Sequence, residues 1–201
     1  MGMLKKRIEQ SISNGLQLVE CNQKSSLIAN FGGFQMKDFP GYCLAVTGQW
    51  LSNPEYIKGH INETRFQTDT IQIQREYEKA EISGADFLAR KFPNLVNLVK
   101  KEVCPLTAER LYNEIIYLEG KLLTSGYIMI ALWDSTDSGH AIGVIIDNGK
   151  YHFFDANECF CTMDNAQVFW DFIYQYVTQP EYGLLQQRYN SFQVALYNHQ
   201  P

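Results

Sequence analysis

A chain of 201 residues is long enough for one well-buried core and short for two, so a single domain over 1–201 is expected. Hydrophobic residues at 45% and charged residues at 19% are the proportions of an ordinary globular protein. The formal net charge of −5 excludes a general nucleic-acid binder, which needs a basic surface.

No apolar run reaches the roughly 20 residues of a membrane helix, so stable membrane insertion is not expected. The opening stretch from Met1 to Arg7 lacks the apolar core of an export signal, and Lys6 stands where a myristoylation motif wants Ser or Thr. The five cysteines are an odd count without the paired spacing of a zinc site, and reduced, mostly buried thiols are expected. Cys159 and Cys161 would share one face of a strand.

In chain order, Ile8, Ile12, Leu16 and Val19 give a loose helical stripe. Glycines at 32 and 33 and the Pro40-Gly41 pair break the chain. A helical pattern resumes from Cys43 to Leu51 and ends near Asn53-Pro54. Residues from about Arg65 to Phe92 read as helix, interrupted near Ser83-Gly84. Thr107 is placed to cap a further helix to about Leu118, with Glu109 in its first turn. The first two thirds thus read mainly as helix and loop.

After Gly120 the period changes. Tyr127 to Trp133, His140 to Asp147 and Lys150 to Ala156 read as strands, in keeping with 12 Tyr and 12 Phe in the chain. The last two strands flank Asn148-Gly149, a strong hairpin signal. Asn165 to Val177 returns to helix, and Ser191 to Tyr197 makes a closing strand. Helices first and an antiparallel sheet later is an α+β arrangement, with a helical part over about 1–120 and a sheet part over about 121–201.

Cys43 follows a Pro-Gly break and opens a helix, where unpaired backbone N–H groups favour a thiolate. Such a cysteine is ordinarily a small buried residue, and a lone strand histidine such as His140 is ordinarily structural. The hairpin supplies a sharper test. If Asn148-Gly149 is a two-residue turn, Asp147 pairs with Lys150, and Asp155 stands opposite Ile142. Asp155 and His140 are then diagonal neighbours on one face, about 7–8 Å apart at Cα. Ile142, Val144, Ile146, Tyr151 and Phe153 share that face, so it meets a core with the polar pair at its rim. His152 falls on the other face. A three-residue loop would send Asp155 to the wrong side.

A cysteine at a helix start with a face-matched His/Asp pair is a nucleophile, base and orienter set. The Cys43 backbone N–H is one candidate donor to an oxyanion, and Gln35 is the nearest side-chain amide for a second. Other residues carry blander readings. Trp50, Trp133 and Trp170 fit a core, His60 and His199 lack a partner pattern, and Asp134 and Asp137 fit a solvated turn.

Gly41 to Ala45 running into Trp50-Leu51, Gly139-His140-Ala141, and Phe153 to Asn157 together resemble the YopT/AvrPphB-type effector cysteine proteases. These are a papain-like branch that bacteria secrete into host cells. The resemblance covers roughly residues 35–198, with the order Cys, His, Asp, then helix, then final strand. It implies a papain-like fold, a triad of Cys43, His140 and Asp155, and endopeptidase action on a protein substrate of a host. No cofactor is implied, and the implied site of action is the host cytoplasm. The chain departs from the pattern where an oxyanion amide is expected, which here offers Lys37 or Asp38. Two other readings share the residues. One is a transglutaminase-like or acyltransferase enzyme that passes the acyl group to an amine or another acceptor; the other is an inactive binding module.

Overall fold

The computed structural model describes residues 42–55, 64–121, 125–136, 139–156, 159–178 and 189–200, and the backbone alone at 16–20. Within these residues the chain runs β1 (Leu16–Glu20), α1 (Cys43–Ser52), α2 (Thr64–Glu78), α3 (Gly84–Lys91), β2 (Leu95–Lys100), β3 (Cys104–Pro105), α4 (Ala108–Glu119), β4 (Ser125–Asp134), β5 (Gly139–Asp147), β6 (Lys150–Asp155), β7 (Cys159–Met163), α5 (Ala166–Thr178) and β8 (Tyr189–His199).

Local chemistry sets several of these boundaries. The Thr107 hydroxyl accepts from the Arg110 N–H at 3.1 Å and so caps α4, with Glu109 in the first turn as expected. Ser83 does the same for α3 through the Asp86 N–H, which explains the break between α2 and α3. Asn165 accepts from the Val168 N–H and starts α5.

Among the described residues the strands form one eight-stranded sheet in the order β1-β7-β6-β5-β4-β8-β2, with β3 also on β8 and every pairing antiparallel. The fold is therefore α+β, as the sequence pattern implied. Two readings need correction. Leu16 and Val19 lie on strand β1 rather than on a helix, while Ile8 and Ile12 fall outside the described residues. The first two thirds also supply β1, β2 and β3, so both ends of the sheet come from chain read as helix and loop.

Helices cover both faces of the sheet. On one face Leu111, Ile115 and Leu118 of α4 and Phe169, Phe172 and Ile173 of α5 pack against alternate residues of β4, β5, β6 and β8. On the other, Leu44, Trp50 and Leu51 of α1, with α2 and α3, pack against Met129, Ala141, Ile145 and Phe154. The expected face of Ile142, Val144, Ile146, Tyr151 and Phe153 is intact, and its reverse is buried as well. Burial on both sides explains why β5 is apolar almost throughout instead of alternating.

The Trp50 ring lies flat over β5 because position 143 has no side chain. A Cβ built on Gly143 would stand 2.7 Å from that ring. Trp50 also stacks on Phe154 at 5.2 Å, which fixes α1 across the sheet with its N-terminal end toward the start of β5. Thr47 ties the same helix to the strand by donating to the Ala141 carbonyl at 3.0 Å.

Candidate active site

The β5–β6 hairpin has the two-residue turn that the sequence requires. Asn148 and Gly149 have φ of 50° and 75°, and Asp147 pairs with Lys150. The ladder continues through Val144 with Phe153 and Gly143 with Phe154, then ends. Beyond it His140 and Asp155 meet. The His140 Nε2–H donates to Asp155 Oδ1 at 2.9 Å, both side chains being buried. His152 points to the other face, where Nδ1 meets the Thr162 hydroxyl at 3.0 Å.

Cys43, first residue of α1, reaches the same imidazole. With Nε2 held by Asp155, the ring offers Nδ1 to the sulfur, and the two side chains are hydrogen-bonded. Burial alone would push the Cys43 thiol up. The neighbouring His140 charge, its hydrogen bond and the Ala141 backbone N–H outweigh this and hold the thiol below its ordinary value. Burial would likewise lower His140, but Asp155 and Cys43 hold it well above the usual histidine range. Both shifts act toward a thiolate–imidazolium pair, the form in which sulfur is a nucleophile. The fold thus brings together Cys43, His140 and Asp155 from three separate stretches of chain. Gln35, Asp137 and His60 lie outside the described residues.

Two tyrosines that the sequence did not single out complete the surroundings. The Tyr176 hydroxyl on α5 donates to Asp155 Oδ2, so both carboxylate oxygens are engaged and the group cannot swing away from the ring. Tyr189, at the start of β8, stacks on the His140 ring with centroids 5.8 Å apart and planes 13° from parallel. Burial, then the nearby Cys43 and Asp155, pushes its hydroxyl up.

A cleft of about 250 Å³ opens onto Cys43 and His140. Gln74, Tyr77 and Glu78 of α2 form one wall, and Trp133 and Gln193 lie on the sheet side. Trp133 is therefore a cleft residue, not a core one, whereas Trp50 is buried and Trp170 packs against Tyr112. Asp134 accepts from the Thr136 N–H and hydroxyl, each at 2.8 Å, in a small exposed turn. His199 has partners after all: it stacks on Tyr127, and its Nε2 lies 2.9 Å from Asn94 Nδ2 and from the Ser52 carbonyl, joining β8 to the end of α1.

The chain is similar to the crystal structure of the Pseudomonas avirulence protein AvrPphB, with a TM-score of 0.55 at 12% identity, covering 84% of this chain and 98% of that one. It is also similar to PatoxP, a cysteine protease-like domain of the Photorhabdus asymbiotica toxin PaTox, with a TM-score of 0.51 at 11% identity, covering 96% of this chain and 57% of that one. The fold is cysteine protease-like. No protein-family pattern and no curated protein sequence matches the chain. At this level of identity the likeness concerns the fold, and the chemistry rests on the geometry of the cleft.

Among the described residues no cluster of His, Cys, Asp or Glu could hold a metal ion, and no helix is long and apolar enough to cross a membrane. Among the described residues Cys43, Cys104 and Cys161 are not in disulfides. Cys104 provides an internal comparison, because it is more exposed than Cys43 yet burial pushes its thiol up. Iodoacetamide is expected to label Cys43 ahead of Cys104 at neutral pH, and roughly ten-fold faster than free cysteine. Because the Cys43 pKa is lowered, this advantage should persist on the acid side of the ordinary thiol range and vanish only when the thiolate is protonated. Site-resolved mass spectrometry against pH reads both expectations, and labelling of Cys104 first would contradict an activated Cys43.

Proposed function

We propose that the chain is a thiol hydrolase, specifically a cysteine endopeptidase. The observation that carries this reading is the continuous contact from sulfur to imidazole to buried carboxylate at the floor of an open cleft. In this mechanism the Cys43 thiolate attacks a peptide carbonyl carbon, forming a C–S bond and moving the carbonyl electron pair onto oxygen. As the tetrahedral species collapses, the C–N bond breaks and the His140 imidazolium protonates the departing amine. The acyl-thioester that remains is attacked by water, whose proton His140 takes; release of the acid then restores the starting pair. Asp155 holds the ring in one tautomer and stabilises its charged form, as the aspartate of a Ser-His-Asp triad does.

The substrate class is protein. The effector-like company of the fold, an avirulence protein and a toxin domain, supports a host protein as target and delivery into a host cell as the setting. The test is a search for new protein N-termini in host-cell lysate treated with the wild-type chain or with its Cys43→Ala variant. Termini present only with the wild type are expected. Identical sets, with the wild type shown to be folded and alkylated at Cys43, would exclude endopeptidase action on those proteins.

A further inference from the structure

Attack on a carbonyl creates a negative oxygen that needs hydrogen-bond donors, and the α1 N-terminus offers only part of what is required. The first intrahelical bond of α1 runs from the Val46 N–H to the Tyr42 carbonyl at 3.0 Å, so the N–H groups of Cys43, Leu44 and Ala45 have no acceptor within the helix. That of Ala45 is taken by a side chain from another helix: it donates to Gln74 Oε1 at 3.3 Å.

Gln74 reaches this position because α2 packs antiparallel to α1 along an unusual polar seam. Gln67, Thr70 and Gln74 are all buried, at helical spacing along α2. Gln49 Nε2 of α1 donates to the Thr70 hydroxyl at 2.6 Å, and one helical turn nearer the cleft Ala45 meets Gln74. The last turns of α2 are thereby held beside Cys43.

The partners fix which way round the amide sits. The atom facing the Ala45 N–H must be the oxygen, and the atom facing the Glu78 carboxylate must be the nitrogen. The contact from Nε2 to Glu78 Oε1 is long, at 3.4 Å, and occupies one of two amide protons. The other has no acceptor among the described residues, and Gln74 lines the cleft with Cys43 and His140. A side-chain amide whose oxygen is anchored, on a residue that lines the cleft, is a preorganised donor.

We infer that Gln74 Nε2, together with the Cys43 backbone N–H, forms the oxyanion hole, so that the amide comes from the helix after the nucleophile. The inference rests on the thiol hydrolase reading. It also assigns the polar seam a purpose, which is to hold one carboxamide rigidly at the nucleophile.

Two reactions of one sulfur separate the alternatives. Acylation by p-nitrophenyl acetate passes through an oxyanion, whereas alkylation by iodoacetamide is a direct displacement that does not. For Gln74→Met, which keeps the length of the side chain but loses the donor, the ratio of acylation to alkylation rate should fall about 100-fold. Gln74→Glu keeps an oxygen for the Ala45 N–H but replaces the donor with an acceptor, and its ratio should fall at least as far. A purely structural role would lower both rates together or shift only the thermal midpoint. Ratios unchanged in both variants would overturn the inference while leaving the hydrolase reading standing, as would the same loss in Gln35→Met or Tyr77→Phe with none at Gln74. A wild-type protein alkylated at Cys43 but never acylated there would sink both.

Discussion

Cys43→Ala is expected to reduce turnover to the uncatalysed background while leaving the fold in place. The loss should be complete because every bond change in the proposed reaction passes through the sulfur, and no second nucleophile stands near His140 among the cleft residues. Tyr77 lines the cleft and Tyr189 stacks on the His140 ring, but burial together with the Cys43 charge pushes both hydroxyls up, away from nucleophilic form. The structural cost should be small. One sulfur that lines an open cleft is removed, and α1 remains fixed by Trp50 on Gly143 and by the Thr47 bond to β5. A loss on the order of 1 kcal/mol, or a midpoint lowered by about 2–4 °C, is in proportion for a chain of this size. Activity and thermal unfolding measured on one preparation check both halves. A folded variant that still turns over would exclude covalent catalysis by Cys43.

The parts of this site that the sequence displayed are those governed by local chemistry. Asn148 and Gly149 demand positive φ, which selects a two-residue turn, and that turn alone dictates that Asp155 and His140 share a face. The helix start at Thr107 was likewise visible as a hydrogen-bonding side chain ahead of an apolar stripe. The missed strands lack such signals. Leu16 and Val19 are three residues apart, and Leu95, Leu98 and Val99 fall at helical spacing, so only their distant partners on β7 and β8 reveal them as strands. Both lie at ends of the sheet, where alternation is least enforced.

The cleft residues were hidden for a different reason. Gln67, Thr70 and Gln74 form a regular stripe, but a polar stripe on a helix ordinarily faces water. Nothing in the chain around them indicates that α1 lies against that stripe. Tyr176 sits in the same apolar stripe as Phe169, Phe172 and Ile173 and reads as core, which it is; its hydroxyl is the only trace of a second role. A buried tyrosine hydroxyl needs a polar partner, and that rule points to a buried acid without saying which. Local rules thus reached Cys43, His140 and Asp155, while the groups that surround them depend on how helices pack.

Asp155→Asn is the sharper probe of that tuning, because shape is kept and only charge and hydrogen-bonding character change. In the wild type Oδ1 accepts from His140 Nε2–H and Oδ2 accepts from the Tyr176 hydroxyl, so the carboxylate uses both oxygens as acceptors. An asparagine has one acceptor and one donor. Tyr176 can turn its hydroxyl to suit either, so it does not force the amide oxygen toward the histidine. Where the NH₂ faces the ring, Nε2 must accept, Nδ1 carries the proton, and the lone pair needed for the Cys43 thiol is gone. Loss of the negative charge acts in the same direction. Asp155 is the foremost influence raising the His140 pKa, so removing it lowers that pKa and weakens the imidazolium that holds the thiolate. Turnover should therefore fall by about 10³–10⁴. The limb of the pH–rate profile set by loss of the imidazolium proton should move to lower pH, since the charged ring is then lost earlier as pH rises. Steady-state rates across pH for both proteins check the prediction, and a variant with wild-type rate and profile would remove Asp155 from the site.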